Sequence, residues 1–293
     1  MRRLQIGMWH RFDQSLWERY SHPSITGLEV SQFNSKEDYI LLNKFATKQN
    51  LKIGIHAPTY SNHDYPLLSS ANKHERENAI LDLERQIVDS TIVNAEYILF
   101  HYPFPPIFPK AKNKMLWEAP KDYPYFEYSD YSKEQLRDYS CYLFENLIKF
   151  QNKYKQRIVL EYDFFGEFQE VYVEMFKKYP EIGLVLDTQR MDYHKRAFPG
   201  FNPCSLIDEI HQSVYLLHYS NTYYGNKVKR HLPVLPFHQK NDFYGDSITY
   251  LKYLAKKNNS FHVTFEHNPS LVSLDELERC YTYVSELLNL DNN

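Results

Sequence analysis

Ile158-Val159-Leu160-Glu161 is a short apolar run that ends in a carboxylate. The same arrangement, with a carboxylate or an imidazole at the end, recurs at Ile53-Gly54-Ile55-His56, Ile98-Leu99-Phe100-His101, Leu184-Val185-Leu186-Asp187, Tyr215-Leu216-Leu217-His218 and Val263-Thr264-Phe265-Glu266. Continuous apolar runs are typical of parallel strands that are buried on both faces. In a (β/α)8 barrel the C-terminal ends of such strands meet at one mouth, where the active site lies. The runs therefore predict an α/β protein, a barrel whose mouth gathers six potential metal ligands.

Longer amphipathic stretches separate these runs. Two further strands, at 4–8 and Gly27–Val30, bring the number of strand–helix units to eight, which favours a closed barrel over an open sheet. Helices are predicted at Asp13–Tyr20, Lys36–Gln49, Lys73–Val93, Lys133–Tyr154, Phe168–Tyr179, Ser205–His211, Ser247–Lys257 and Leu274–Leu288. No GxGxxG or Walker sequence follows any strand, so dinucleotide and P-loop sites lack support. We expect one TIM-barrel domain over residues 1–293.

The segment after the fourth predicted strand is unlike the rest of the chain. Residues 102–131 are rich in proline and in aromatic side chains. Loops this long in compact domains are usually functional or disordered, and disordered segments are poor in aromatic residues. We expect a packed lid over the barrel mouth. Packing on the barrel exterior or against a second subunit is the alternative, which makes a homodimer a further expectation.

The composition sets bounds on the class of protein. A net charge of −3 gives no overall basic field, so nucleic acid is not the expected partner. The chain has three widely spaced cysteines, Cys141, Cys204 and Cys280. An odd number without close spacing is typical of free thiols in a reducing compartment. No stretch resembles a signal peptide or is apolar enough to span a bilayer. We expect a cytoplasmic protein with no membrane partner.

The polar strand ends predict a metal centre. Glu161, Asp187, His218 and Glu266 suit a divalent ion such as Mn or Zn, with positions left open for substrate or water. His56 and His101 end neighbouring strands and suit a second ion that Glu161 would bridge. Any one of these residues alone has a structural explanation, such as a buried ion pair. Together they favour a metal, because unpaired buried carboxylates are costly without a compensating charge.

Several segments resemble the xylose isomerase-like TIM barrels, the superfamily of sugar isomerases and epimerases and of the endonuclease IV family. His56-Ala57-Pro58, Leu186-Asp187-Thr188 and Phe265-Glu266-His267-Asn268-Pro269 are similar to its motifs at the third, sixth and eighth strands. The segment from Tyr224 to His231 resembles the one after the seventh strand in endonuclease IV. The resemblance covers nearly the whole chain through motif positions.

The endonuclease branch of the resemblance implies two ions and argues against a third. His56, His101 and Glu161 would hold one ion, and the set of Glu161, Asp187, His218 and Glu266 the other. The third ion of that family needs ligands where this chain has Arg190 and Lys229. Those cations should repel it, and His194 could substitute only if its loop folded back.

The epimerase branch implies a single ion held by Glu161, Asp187, His218 and Glu266. Glu161 and Glu266 would then act as acid and base on either side of the substrate carbon. Glu167 matches a substrate-contacting residue of that branch, although it could simply begin a helix. We expect a metal-dependent isomerase or epimerase of a sugar, sugar phosphate or polyol ketone.

Further substrate contacts are predicted from the loops at the mouth. Arg190, Lys229 and His231 could anchor a carboxylate or phosphate, or could be solvated charges. Tyr60 and Trp117 are the aromatic candidates. Leu232-Pro233-Val234-Leu235-Pro236 replaces a glycine-rich loop common in the superfamily, which indicates an unusual substrate.

Two other functions stay open. A metal-dependent phosphoester hydrolase of the endonuclease IV type, with one or two ions, is the alternative, although the loops after the first three strands offer only a thin basic lining. A barrel that binds a small molecule without catalysis is the third. In each enzyme the cofactor is a divalent metal, Mn or Zn, with Co or Mg as further candidates, and in the isomerase the partner is a small carbohydrate-like molecule.

Overall fold

Eight parallel strands close into a barrel in a computed structural model that describes residues 2–8, 11–108, 126–127, 130–198 and 200–289. The strands of this part of the chain are β1 (Leu4–Met8), β2 (Ile25–Val30), β3 (Lys52–His56), β4 (Tyr97–Tyr102), β5 (Ile107–Phe108), β6 (Phe126–Glu127), β7 (Arg157–Tyr162), β8 (Gly183–Asp187), β9 (Val214–Tyr219), β10 (Asn221–Tyr224), β11 (Val228–Leu232) and β12 (His262–Phe265). The barrel order is β1-β2-β3-β4-β7-β8-β9-β12, and β12 pairs with β1 to close it. The predicted (β/α)8 fold is confirmed.

Helices follow the barrel strands, as expected of this fold. They are α1 (Gln14–Tyr20), α2 (Lys36–Gln49), α3 (Lys73–Thr91), α4 (Lys133–Tyr154), α5 (Gln169–Lys178), α6 (Thr188–Ala197), α7 (Pro203–Ile210), α8 (Ser247–Lys257) and α9 (Leu274–Leu287). Polar side chains begin several of them: Ser35, Ser132 and Ser273 each form a capping box. These caps lie where the sequence places the helix starts.

Helix α6 is absent from the sequence prediction, which has only a short helix near 205–211 after the sixth barrel strand. That short helix is α7. Helix α6 begins directly after β8, with Asp187 as its N-cap. Its buried residues include Thr188, Gln189 and Asp192, so it lacks the alternation of apolar and polar faces that reveals an amphipathic helix.

The two ends of the proline-rich segment lie together. Strand β5 pairs in parallel with β6, outside the barrel. Ile107 of β5 packs with Tyr131, Leu136 of α4 and Val171 of α5. The base of the segment is therefore anchored on the helices that flank β7. Its predicted lid, residues 109–125 above all, lies outside the described residues.

Apolar side chains fill the space between the barrel and the helices, where Leu42, Leu83, Leu147, Phe176 and Leu251 are all buried. The barrel interior is more polar, since Gln5, Glu29 and Thr264 are buried there among aliphatic neighbours. Within the described part of the chain, no helix has the length and hydropathy needed to cross a membrane.

Candidate metal centre

Parallel register brings the polar strand ends to one place. His101 pairs with Glu161 across β4 and β7, and Asp187 pairs with His218 across β8 and β9. Since the strands all run in one direction, their C-terminal ends share the same mouth of the barrel. The residues predicted as metal ligands form one contact network there: His56, His101, Glu161, Asp187, His218 and Glu266.

Glu161 lies at the centre of this network. One of its carboxylate oxygens, Oε2, is 3.2 Å from His56 Nε2 and 3.3 Å from His101 Nε2. The other, Oε1, is 3.2 Å from Arg190 Nε and 3.4 Å from His218 Nδ1. The two oxygens therefore face two different groups of side chains, as a carboxylate that bridges two sites would.

The first group is made of carboxylates around one imidazole. Ligand atoms of Glu161, Asp187 and His218 lie within 4.8 Å of one another, and Glu266 Oε1 is 3.3 Å from His218 Nδ1. That Nδ1 atom is buried and has no hydrogen-bond partner among the described residues. A buried nitrogen without a partner is costly. A divalent cation among these oxygens would satisfy it, and the donor set of oxygens with one imidazole nitrogen suits such an ion.

The second group joins two imidazoles to the same carboxylate. Ligand atoms of His56, His101 and Glu161 lie within 4.8 Å of one another. His101 Nδ1 is 3.2 Å from Asp163 Oδ2, so the ring turns its Nε2 atom toward Glu161. A carboxylate behind a histidine is the usual way in which proteins orient an imidazole ligand. This group fits a second cation.

Asp187 serves the helix and the cluster at once. Its Oδ1 atom accepts hydrogen bonds from the backbone amides of Gln189 at 2.7 Å and of Arg190 at 3.0 Å, which caps α6. The Oδ2 atom stays on the side of the cluster, 3.5 Å from Arg190 Nε. The start of α6 thus fixes the orientation of a predicted ligand.

Arg190 pairs with carboxylates of the protein itself. Its guanidinium lies 3.2 Å from Glu161, 2.9 Å from Asp163 and 3.5 Å from Asp187. These contacts hold a fixed positive charge against the cluster, at the sequence position where the resemblance to endonuclease IV requires a ligand of the third ion. The guanidinium therefore partly neutralises the cluster.

The charges and the burial of the cluster shift the pKa values of its residues in opposite directions. Burial acts to raise the pKa of Glu161, but the charges of His101 and Arg190 outweigh it and hold that pKa well below its usual range. Burial raises the pKa of Glu266 to about 7, against the opposing charge of His218. Burial would lower the pKa of His218, yet Glu266 and Glu29 raise it well above its ordinary value. These opposite shifts follow from carboxylates that repel one another and attract the ring of His218.

Sequence reasoning missed three residues of the site. Glu29 lies inside the apolar run of β2, and its Oε1 is 3.0 Å from His218 Nε2. Asp163 lies two residues past Glu161 and pairs with His101 and Arg190. The ring of Tyr65 lies 5.1 Å from the ring of His101. The two-residue spacing of Asp163 from Glu161 was a usable signal, because alternate residues of a strand share a face.

Other predicted substrate residues lie in varied surroundings. Glu167 is exposed in the turn before α5, and Lys229 is exposed on β11. Tyr60 packs against Tyr39 rather than against the carboxylates. His231 has a left-handed backbone, with φ of 56°, and its Nδ1 lies 3.2 Å from the carbonyl oxygen of Glu266. Trp117 lies outside the described residues.

Two cavities adjoin the network. The inner one, of about 160 Å³, is lined by Gly7, Met8, Glu29, Ser31, Gln32, His56, Tyr65 and Glu266. The outer one, of about 570 Å³, lies between the loop at 62–67 and α3, and it is lined in part by Asp64, Glu75 and Asp82. Tyr65 lines both cavities.

Solved structures with this fold are known. A D-tagatose 3-epimerase-like protein matches with a TM-score of 0.64 at 14% identity, over 99% of this chain and 98% of its own. The IolI protein with a bound zinc atom matches at 0.63 and 14%, over 98% of each chain. Mannonate dehydratase from Streptococcus suis serotype 2 matches at 0.64 and 14%, over 99% of this chain and 95% of its own.

These matches show that the chain has the barrel fold of xylose isomerase-like proteins, as the sequence motifs imply. No protein-family model matches the chain, and a search of curated sequences gives no match.

Proposed function

We propose that the protein is a metal-dependent isomerase or epimerase that acts on a sugar, a sugar phosphate or a related polyol ketone. The observation that carries the proposal is the buried Nδ1 atom of His218, which makes no hydrogen bond among the described residues but lies 3.4 Å from a Glu161 oxygen and 3.3 Å from a Glu266 oxygen. The fold adds support, since a D-tagatose 3-epimerase-like protein and an L-ribulose 3-epimerase share it.

The cation would be held by Glu161, Asp187, His218 and Glu266. Manganese and zinc suit these ligands, with cobalt or magnesium as further candidates. A bound divalent ion polarises a substrate carbonyl and holds the neighbouring hydroxyl oxygen. His56 and His101, with Glu161, would hold a second ion, so we propose one or two ions per chain.

Glu161 and Glu266 are the proposed acid and base. In such a reaction one carboxylate removes the proton from the carbon next to the carbonyl, and the other returns a proton to that carbon. Glu266 and His56 line the inner cavity, whereas Glu161 is buried against His56 and His101 and does not line it. The cavity of about 160 Å³ is smaller than the roughly 300–1,000 Å³ of sites for drug-sized ligands. We infer that it holds only the reacting end of a small polyol.

The hydrolase alternative has weaker support. A phosphodiester substrate needs compensating positive charge near the metal, whereas Arg190 already pairs with Glu161, Asp163 and Asp187. The outer cavity is lined by Asp64, Glu75 and Asp82 against one arginine, Arg85, which pairs with Asp82, so it offers no excess of positive charge for a polyanion. The predicted partner is therefore a small carbohydrate-like molecule. The cytoplasmic location and the homodimer stay predictions from the sequence.

The proposal is tested by metal content and proton exchange in one set of proteins. We expect bound Mn, Co or Zn in the wild type, and deuterium uptake from D₂O next to the carbonyl of at least one ketopentose, ketohexose or inosose. Glu161→Gln and Glu266→Gln should lower exchange by about 10²–10⁴-fold. Glu278→Gln, at an exposed position of α9, is the matched control.

Unchanged metal content and exchange in Glu161→Gln would overturn the proposal. Robust cleavage of abasic duplex DNA by the wild type, without exchange on any ketose, would favour the hydrolase instead.

A further inference from the structure

A chain of buried polar side chains crosses the barrel interior and ends at His218. Arg3 Nε donates to Gln5 Oε1 at 2.9 Å, and the amide of Gln5 donates to the hydroxyl of Tyr97. Tyr97 in turn donates to Glu29 Oε2 at 2.5 Å, and Glu29 Oε1 lies 3.0 Å from His218 Nε2. All five residues are buried. Barrel interiors are mostly filled by branched apolar side chains, so this arrangement is unusual.

The neighbouring strand leaves room for Tyr97. A Cβ atom on Gly54 of β3 would lie 2.1 Å from the Tyr97 ring, so only glycine admits the ring at this position. Thr264 of β12 accepts a second hydrogen bond from the Gln5 amide at 2.7 Å. The tyrosine hydroxyl is therefore held at a fixed place beneath Glu29.

The direction of every hydrogen bond in the chain follows from its first member. Arginine can only donate, so Gln5 presents its carbonyl to Arg3 and its NH₂ group to Tyr97. The hydroxyl of Tyr97 then accepts from Gln5 and donates to Glu29. A carboxylate that accepts from Tyr97 can also accept from His218, whose Nε2 therefore carries hydrogen. The lone pair of a neutral His218 ring is thereby left on Nδ1.

The two ring nitrogens of His218 face different carboxylates. Glu29 lies against Nε2, whereas Glu161 and Glu266 lie against Nδ1 at 3.4 and 3.3 Å. A cation among Glu161, Asp187 and Glu266 would bind Nδ1. Glu29 therefore contacts the ring nitrogen opposite to the one that such a cation would bind. Its carboxylate also lines the inner cavity, within 4.8 Å of ligand atoms of His218 and Glu266, so a test must separate a positioning role from direct ligation.

We propose that Glu29, held by Tyr97, is a positioning residue that fixes the ring and the tautomer of His218 so that Nδ1 faces the metal site. The inference rests on the metal centre of the proposed function. A carboxylate behind a histidine ligand also increases the basicity of that ligand, and its loss typically lowers metal affinity by about 10–100-fold.

The test measures Zn²⁺ affinity by competition with a chromophoric chelator in the full-length wild type, Glu29→Gln and Tyr97→Phe. We expect about 10–100-fold weaker binding in Glu29→Gln, and a smaller loss in Tyr97→Phe because Glu29 keeps its contact with His218. Tyr102→Phe is the matched control: Tyr102 is buried on the same strand, and its hydroxyl donates to Ser140 instead. It should bind Zn²⁺ as the wild type does.

Unfolding of the same proteins in a chelator separates folding from metal binding. Equal Zn²⁺ affinity in all four proteins, whatever their stability, would overturn this inference while leaving the proposed function intact. Co²⁺ absorption spectra test whether Glu29 is itself a metal ligand. If Glu29→Gln changed the spectrum while Tyr97→Phe changed neither the spectrum nor the metal affinity, Glu29 would be a ligand, and the positioning role would be wrong. A wild type that binds none of Zn²⁺, Mn²⁺, Co²⁺ and Mg²⁺ would overturn both proposals.

Discussion

Two buried histidines of this protein, His218 in β9 and His194 in α6, differ in their neighbours rather than in their depth. His218 lies within 3.0–3.4 Å of three carboxylates, those of Glu29, Glu161 and Glu266. His194 lies among rings. It stacks on Phe201 with 3.7 Å between ring centroids, and its Nδ1 faces the hydroxyl of Tyr162.

The two surroundings have opposite electrostatic effects. Burial alone lowers the pKa of His194 to about 3, because a charged ring loses its hydration without gaining a counter-charge. The same burial acts on His218, but the carboxylates of Glu266 and Glu29 override it and raise its pKa well above the ordinary value. A cation is therefore favoured in one region and disfavoured in the other. His194 therefore lies in an aromatic pocket, apart from the network of candidate metal ligands.

The largest effect is expected when the Arg190 guanidinium is removed from the carboxylate region, the set of carboxylates around His218 and Arg190. Arg190→Gln leaves Glu161, Asp163 and Asp187 without their arginine partner. Breaking a buried ion pair typically costs about 3–5 kcal/mol of unfolding free energy. We expect a loss of that order in a chelator, and a larger stabilisation by excess Zn²⁺ in the variant than in the wild type. Urea unfolding with and without the metal measures both.

The control for this experiment is Arg85→Gln. Arg85 pairs with Asp82 on the surface of α3, and its side chain is 59% exposed, so about 0–1 kcal/mol is expected. If the two variants lost equal stability, the carboxylate region would not depend on a buried cation and the contrast between the two histidines would fail.

A smaller effect is expected in the aromatic region, where acid should destabilise the protein through His194. The folded-state pKa of about 3 lies below the usual 6.5, so the unfolded chain binds the proton more tightly. The free energy of unfolding therefore begins to decrease as the pH drops below about 6.5, and it keeps decreasing until the pH reaches about 3. His194→Phe should reduce the slope of unfolding free energy against pH by about 1.4 kcal/mol per unit between pH 6 and 4.

The same substitution removes the hydrogen-bond partner of the Tyr162 hydroxyl, at a cost of about 1 kcal/mol near neutral pH. The two stability curves should therefore cross as the pH is lowered. His74→Phe, at an exposed position of α3, is the control, because its ring contacts solvent in both states. If the unfolding free energies of His194→Phe and the wild type changed in parallel with pH, His194 would bind its proton equally well in the folded and the unfolded protein, and the expected pKa depression would be wrong.

The contrast between the two histidines also explains what sequence could predict. The apolar runs that end at Glu161, Asp187 and His218 predict both the barrel and its ligands, because strand direction alone brings those ends together. The sequence did not predict Glu29 as a site residue, because its role depends on two features of the folded barrel. The register of β2 with β3 pairs Glu29 with Gly54, and the absence of a side chain at Gly54 leaves room for Tyr97. Such cross-strand geometry has no signature in a single stretch of sequence.

Helix α6 was missed for a related reason. Thr188, Gln189, Asp192 and His194 are all buried, so polar residues occupy positions that a periodic pattern assigns to solvent. Their partners lie far away in the chain: the hydroxyl of Tyr250 donates to Asp192 at 3.2 Å, and that of Thr222 donates to Gln189 at 2.9 Å. Tertiary hydrogen bonds replace the apolar face that local periodicity would require.

The smallest effect is expected at Lys229, which the sequence offers as an anion anchor. Its side chain is exposed on β11, so its charge is screened by solvent in a way that the charges around His218 are not. Lys229→Gln should change stability by less than about 0.5 kcal/mol and, with an unphosphorylated ketose, change KM by less than about twofold. Steady-state kinetics with a ketose and its phosphate ester measure this. A KM that rises only for the phosphate ester would make Lys229 an anchor for the substrate. Substrate selection would then depend on an exposed charge at the mouth as well as on the buried carboxylates.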